Sequence, residues 1–495
     1  MMNNLTFLDL PFDDLIRLLE NNFGLKTDSY KLSHWEQYPL GTSNVISYLE
    51  SRGSDHPLRQ EIEFAGLQRI LMKYFVGVRM TTELLDVAEA FSNAHFGPGI
   101  DGKTPAVKFN REGWQYIIDH HGGKLPLRIK AVPEGTVVPL RNVLATFEIT
   151  DNHSFWLTNF SETVLSHLWY PSTVASNGRE IKKLINNALH ITTDDDIIEA
   201  VLPSRLHDFG YRGSTSDESA GIGGAAHLLN FNGTDNLKGI ITAMIYYNAG
   251  MVGYSLPASE HSTVTSWGKE NERKAIENML DLYGNSQYVS IVSDSYDIFN
   301  AAENIFGKEL KWKILEREGI VVIRPDSGDP IEVNRKLYRI LWNKFPGHIN
   351  SKGFKVLHKN IRTIQGDGID IDSIEALLNM FIEEKISIEN VAFGSGGGLL
   401  QKFDRDTYKF AIKCSLAIIN GEEIEVQKDP ITSKGKKSKA GRLKLVKDDN
   451  GNYYTASSKK NPDFEELKDE MVTIFENGEM VTTYTFDEIR ERAKI

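Results

Sequence analysis

The chain has 495 residues, 40% of them hydrophobic and 25% charged, enough for two or three domains and a sizeable core, which excludes a disordered or fibrous protein. Its 56 basic and 68 acidic side chains leave a formal net charge of −12, so no global positive field is available to hold nucleic acid, and any phosphate site has to be local. No run approaches the roughly 18 apolar residues of a membrane span, Cys414 has no intrachain partner, and the opening MMNNLTFLDLPFDDL is acidic where a secretion signal is basic. The expectation is a cytoplasmic protein with neither nucleic-acid nor membrane partners.

In chain order, LRQEIEFAGLQRILMKYF (58–75) reads as a helix and PLRIKAVPEGTVVPLRNVLATFEI (126–149) as short strands with a turn at Pro133-Glu134-Gly135. From about residue 205 a unit recurs: a short apolar strand, a polar or glycine-rich loop, then a helical pattern. The strands expected are RLHDF (205–209), HLLNF (227–231), MVGYSL (251–256), QYVSIV (287–292), GIVVI (319–323), IRTIQ (361–365) and NVAF (390–393). Seven such units favour a parallel α/β core closed, or nearly closed, into a barrel, although periodicity alone leaves an open sheet as the alternative. After about 408 the β pattern returns in AIKCSLAII (411–419) and RLKLVKD (442–448). The expected organisation is residues 1–180 packing with 408–495 as one discontinuous β-rich α+β domain, and 181–407 as the barrel-like α/β catalytic domain.

Ligands of parallel α/β folds bind where the strands end. The loops there contain His207-Asp208-Phe209-Gly210-Tyr211-Arg212, Gly233-Thr234-Asp235, Glu260-His261-Ser262, Asp294-Ser295-Tyr296-Asp297, Arg324-Pro325-Asp326-Ser327-Gly328, Gly366-Asp367-Gly368 and Gly394-Ser395-Gly396-Gly397-Gly398. Any one of them reads as well as a cap or a turn. Seven in succession point to one chemical mouth. The glycine run offers bare N–H groups and a helix start to a phosphate, without Walker A or Rossmann spacing, and Arg405 and Lys413 lie just beyond it. Asp326 and Asp367 suit sugar hydroxyls or Mg²⁺, and Arg324 suits a second phosphate or a pyrophosphate. Phe209 and Tyr211 beside Arg212 suit a flat heteroaromatic ring, though aromatics at strand ends are more often core.

GLKTDSYKLSHWEQYP (24–39), LHDFGYRG (206–213), SLPASEHST (255–263), SDSYDIFNA (293–301), IRPDSG (323–328), QGDGID (365–370), FGSGGGLLQK (393–402) and VTTYTFDEIR (481–490) carry a resemblance that covers nearly the whole chain. It resembles the nicotinamide phosphoribosyltransferase family. The resemblance implies a type II phosphoribosyltransferase-like barrel core with a β-rich second domain. It also implies a homodimeric enzyme of NAD salvage that joins nicotinamide to 5-phosphoribosyl 1-pyrophosphate, with Mg²⁺ as cofactor and ATP as coupling co-substrate. It makes Phe209 one face of a ring clamp and Tyr30, from a second copy, the other, with Arg212 beside the ring, Asp235 at the carboxamide and Ser255 among the substrate contacts. It assigns Arg324 and Asp326 to the ribosyl pyrophosphate, Gly366 and Asp367 to the sugar hydroxyls, and Gly396 and Gly397 to the 5′-phosphate, with Arg405 and Lys413 joining across the dimer. One departure is Ala411, where the family often has a serine; losing one neutral hydrogen bond costs about 0.5–1.5 kcal/mol.

The same resemblance makes His261 a residue phosphorylated by ATP, with Glu260 assisting and Asp294 fixing the imidazole tautomer as carboxylates do for catalytic histidines. It places Lys428 and Lys436 as anion guides, against the reading of a solvated lysine-rich loop. The main alternative is a nicotinate phosphoribosyltransferase, which Asp235 disfavours because it would repel the substrate carboxylate. Two others are a non-catalytic signalling protein and a plain ATPase, the latter disfavoured by the missing Walker A lysine.

Overall fold

The computed structural model describes residues 9–427 and 438–495. Lys428 and Lys436 fall outside them. The chain forms two compact units, one of residues 1–173 and 404–492, the other of residues 174–403 and 493–495.

The first unit is built on a seven-stranded antiparallel sheet in the order Glu422–Glu425, Phe410–Ile419, Thr42–Ser51, Val143–Ile149, Leu127–Ala131, Val472–Glu476, Glu479–Met480. Strand Leu127–Ala131 alternates buried and half-buried residues, and Leu49, Ala145, Phe147 and Ile129 of the middle strands are buried in one cluster with Phe23, Phe75, Trp114 and Phe160. The aromatic contacts are edge-on or tilted, with Phe23 and Phe75 centroids 5.2 Å apart and Trp114 and Phe160 5.2 Å apart, as the ring quadrupole favours. The helix expected over 58–75 is confined to Leu67–Tyr74; Glu61–Glu63 is instead a strand paired with Val137–Pro139. Gly66, at φ +95°, ends the extended segment and starts the helix, a conformation that interrupts any helix running through it.

The second unit holds a six-stranded parallel sheet in the order Gly233–Thr234, Leu206–Asp208, Val391–Ser395, Ile361–Gln365, Ile320–Arg324, Tyr288–Val292. Helices such as Asp217–His227, Leu237–Tyr247, Pro330–Lys344 and Ile371–Glu383 return the chain between strands. The two edges are joined by the stretch 254–259. On one side Thr234 N donates to Tyr254 O (2.9 Å) and Tyr254 N to Asn232 O (2.7 Å); on the other Ser290 N donates to Pro257 O (2.8 Å) and Ser259 N to Ser290 O (3.0 Å). The ring therefore closes through a seventh member too irregular to be a strand, which satisfies edge groups an open sheet would leave bare.

Two expected strands are corrected. MVGYSL contributes only this bridged stretch, and HLLNF is the end of the helix Asp217–His227 and the turn after it. A short apolar run does not distinguish a strand from a buried helix end; the strand that follows is the two residues Gly233–Thr234. Among the described residues no helix is long and apolar enough to cross a membrane.

Candidate active site

All the strand-end loops of the second unit open at one rim of the ring. The Leu206–Asp208 strand hands over to Phe209, whose N–H donates to Ser395 O (2.9 Å) on the neighbouring strand. One edge of the Phe209 ring comes up against two glycines: a Cβ added to Gly394 would sit 2.0 Å from its Cε2, and one on Gly366 3.7 Å from the same atom. Glycine at 394 is thus what makes room for the ring. Tyr211 is held outside by its hydroxyl, which donates to Asp217 Oδ1 (2.5 Å), and Arg212 is exposed on the short turn Tyr211–Gly213. That turn abuts the glycine run, since a Cβ on Gly213 would lie 3.6 Å from Gly397 N. Gly396 precedes the helical turn Gly397–Leu400, whose first N–H groups have no intrahelical acceptor.

Asp235 follows the adjacent strand, with its N–H on Asp208 O (3.0 Å) and its exposed carboxylate accepting the Ser255 hydroxyl. Ser255 belongs to the closing stretch and also borders a cavity of about 180 Å³ inside the barrel, lined among others by His207, Gly233, Tyr254 and Arg362. His207 is buried there, and burial lowers its pKa to about 4, so it is neutral at physiological pH.

His261 begins the helix His261–Thr265, which Glu260 caps through its N–H to Thr263 Oγ1 (3.2 Å). The imidazole is 46% exposed, and its Nε2 lies 3.0 Å from Oδ1 of Asp294, itself only 5% exposed. An ionised carboxylate only accepts, so Nε2 carries the hydrogen and Nδ1 faces Asp326 Oδ2 at 3.9 Å. Asp294 Oδ2 accepts the Asp326 N–H (3.2 Å) and the Ser327 hydroxyl, so one carboxylate ties two strand-end loops together. Arg324 Nη2 reaches Asp326 Oδ2 at 3.7 Å, while its buried Nε makes no hydrogen bond among the described residues. Burial, reinforced by Asp294 and Asp367, raises the Asp326 carboxyl above its ordinary range despite the opposing pull of Arg324 and His261. Asp367 is exposed on its glycine turn, with Gln365 Nε2 donating to its carbonyl (3.1 Å).

Phe209, Asp235, Ser255, His261, Asp294, Arg324, Asp326, Gly366, Asp367, Gly396 and Gly397 thus share the rim of one unit. Tyr30, Arg405 and Lys413 belong to the first unit, where Tyr30 is 59% exposed and Lys413 stands opposite Tyr48 in the sheet. Ala411, two residues earlier on the same strand, is buried opposite Glu50. Sequence reasoning named Asp208 only as a member of its loop, without a role, and passed over Asn236; only the fold shows both fully buried beneath the site.

A closed parallel barrel with a glycine-rich turn, an arginine and crowded carboxylates at its strand ends is the architecture of a barrel enzyme whose site lies at that rim. Residues 204–479 match the nicotinate phosphoribosyltransferase (NAPRTase) family and residues 22–129 the nicotinamide phosphoribosyltransferase N-terminal domain. The chain is 45% identical over 476 residues to a nicotinamide phosphoribosyltransferase of Xanthomonas campestris, covering 96% of this chain and 98% of that one. It is 34% identical to that of Acinetobacter baylyi, over 94% and 95%. Among solved structures, nicotinate-nucleotide pyrophosphorylase from Pyrococcus furiosus superposes with TM-score 0.58 at 15% identity over 98% of this chain and 96% of that one. Human nicotinic acid phosphoribosyltransferase gives TM-score 0.51, also at 15% identity, over 94% and 92%. The chain belongs to the nicotinate phosphoribosyltransferase family.

Gly394→Ala should push Phe209 out of place. We expect pyridine-substrate affinity, read by calorimetry, to fall at least about 10-fold, with stability lowered by about 1–3 kcal/mol as in other overpacked sites. Asp326→Asn should abolish transfer yet stabilise the fold at neutral pH. Because the native pKa of Asp326 is raised, its ionisation costs the folded state stability above the unfolded carboxyl value; the gain from the amide should vanish as pH falls through that range. Melting temperatures of wild type and variant at pH 7 and pH 4 check it.

Proposed function

We propose that the enzyme is a nicotinamide phosphoribosyltransferase of NAD salvage, forming nicotinamide mononucleotide and pyrophosphate from nicotinamide and 5-phosphoribosyl 1-pyrophosphate. The observation that carries this is Asp235: an exposed carboxylate, oriented by Ser255, at the strand end next to Phe209. It accepts from a carboxamide N–H and repels a nicotinate carboxylate. The Xanthomonas campestris and Acinetobacter baylyi relatives bear the name nicotinamide phosphoribosyltransferase.

In this reading Phe209 stacks on the pyridine ring and Asp235 fixes its rotation, so that the ring nitrogen faces C1′ of the ribose. The Gly396–Gly397 turn holds the 5′-phosphate, Asp367 the ribose hydroxyls and Arg324 the pyrophosphate. The nitrogen lone pair forms the new C–N bond as the C1′–O bond breaks and the electron pair leaves with pyrophosphate; the residues act by positioning and by charge. Among the described residues no group of three or more His, Cys, Asp and Glu forms a metal cage. Mg²⁺ would arrive on the pyrophosphate and be held by one or two carboxylates such as Asp326, where it would neutralise the leaving group's charge.

His261 is the proposed acceptor of the ATP γ-phosphate: Asp294 holds Nε2, which leaves the Nδ1 lone pair, 3.9 Å from Asp326 Oδ2, as the nucleophile. A homodimer is proposed because Tyr30, Arg405 and Lys413 are then supplied by a second copy. The outward Leu237, Ile241 and Ile245, one stripe of the helix Leu237–Tyr247, form an apolar face suited to covering.

Product analysis with nicotinamide and nicotinate in parallel tests the activity. Asp235→Asn should shift the ratio of the two kcat/KM values toward nicotinate by roughly 10- to 100-fold, the usual range for a charge-assisted contact; an unchanged ratio in folded protein removes Asp235 as the amide reader. His261→Ala should lose phosphoenzyme and ATP hydrolysis while keeping slow ATP-independent transfer, and label from ATP on the variant would refute the assignment. Mixing inactive Tyr30→Ala with inactive Asp326→Ala should restore activity, since one hybrid site of a shared-site dimer carries neither change. No recovery despite subunit exchange rules out sharing.

A further inference from the structure

Asp208 is fully buried at the end of its strand, one residue before Phe209, and both carboxylate oxygens are used. Oδ1 accepts the Gly210 N–H (2.7 Å), just after Phe209; Oδ2 accepts Asn236 Nδ2 (2.9 Å), just after Asp235. Its own carbonyl accepts the Asp235 N–H (3.0 Å). Asn236 is fully buried too. Its Nδ2 also donates to Ala220 O (2.9 Å), its Oδ1 accepts the Gly239 N–H (3.2 Å), and its N–H donates to Thr234 Oγ1 (2.9 Å), so its amide has no freedom to turn away. Space is as tight as the bonding: a Cβ on Gly210 would meet Leu400 at 2.7 Å and Asp208 Oδ1 at 3.0 Å, and one on Gly224 would meet Asn236 Nδ2 at 2.5 Å.

A buried charge is expensive, and an apolar residue would fill this position at less cost if only packing mattered. Burial indeed pushes the Asp208 carboxyl up to about 6 against the pull of its two donors. What an apolar residue could not do is hold two loops at a fixed separation. We propose that Asp208 and Asn236 form a buried clasp that sets the distance between Phe209, which stacks on the ring, and Asp235, which reads its substituent, so that neither partner touches substrate yet both govern how tightly and selectively the ring is held. Both are positioning residues, and the inference rests on the nicotinamide reading of Asp235 above.

Asn236→Ser tests it cleanly, because serine still offers an oxygen to cap the following helix but is too short to reach Asp208. Asp208→Asn is the second variant: it keeps an acceptor for Gly210 and turns a donor toward the Asn236 donor. Initial rates are measured with nicotinamide and phosphoribosyl pyrophosphate varied separately, on protein whose folded fraction is checked by circular dichroism. In Asn236→Ser the nicotinamide KM should rise on the order of 10-fold, the scale of misplacing a contact by a fraction of an ångström. The phosphoribosyl pyrophosphate KM should stay unchanged and the preference for nicotinamide over nicotinate should narrow. The exchanged pair Asp208→Asn/Asn236→Asp, which again sets a donor against an acceptor, should recover part of the loss relative to Asp208→Asn. Unchanged nicotinamide KM in folded Asn236→Ser, or equal rises in both KM values, overturns the clasp. Wild-type turnover of nicotinate alone would instead overturn the nicotinamide reading, and the clasp is then judged by the same criterion on the nicotinate KM.

Discussion

The stretch from Tyr254 to Ser259 is bonded on both flanks, to the Gly233–Thr234 strand on one side and to Tyr288–Val292 on the other, and the chemistry of the rim depends on that double attachment. Because Tyr254 is pinned beside Thr234, Ser255 arrives at Asp235. Because Ser259 is pinned beside Ser290, with its hydroxyl accepting the Val292 N–H at 2.9 Å, His261 arrives at Asp294 two residues beyond that strand. A regular strand would alternate its side chains in and out. The irregular course instead lets one short segment serve two pairs, one on each of its flanks.

Electrostatics at the rim is divided between two regions. Around His261 stand Asp294, Asp326 and Asp367 against one guanidinium, Arg324. An unaccompanied pyrophosphate would enter a field of its own sign, which gives a divalent cation a role in the proposed reaction before any bond is broken. Around Phe209 stand glycine backbone and buried, uncharged His207, with the Asp235 carboxylate on the neighbouring strand end, a setting for a neutral ring that carries a hydrogen-bond donor. The proposed substrates, one polyanionic and one neutral, match these two regions in turn.

How much of this was legible in the sequence follows from the range of the interactions. Loops built from neighbours in the chain were readable: the glycine run 394–398, RPDSGDP and GDG stand at the ends of strands that the apolar pattern locates within a residue or so. The strands at 227–231 and 251–256 were misread for one reason. The run 227–231 is buried, while in 251–256 only Val252 and Gly253 are buried and Met251 and Tyr254 are exposed, so an apolar pattern alone does not say whether a segment is helix end, bridge or strand. The 58–75 run was misread because Gly66 changes backbone direction without changing the hydrophobic pattern. The pairing of Asp235 with Ser255 spans 20 positions and that of His261 with Asp294 spans 33; neither distance has a local signature, and only the closing of the ring creates them.

Asp208 shows the limit most plainly. In sequence it is an acidic residue after a short apolar run, where a carboxylate is usually a solvated turn former. Its burial is decided by Asn236, 28 positions later, and by the small residues Ala220 and Gly224 on the intervening helix, which let that helix and the next approach closely enough to cover it. Each of those residues has an ordinary local explanation, a cap for Asn236 and helix packing for the glycine and alanine. Their common function as the walls of one polar enclosure exists only after the Gly233–Thr234 strand has paired beside Leu206–Asp208. A sequence therefore discloses the groups that meet the substrate, which sit on loops and are chosen for chemistry, more readily than the groups that hold those loops, whose chemistry is directed inward.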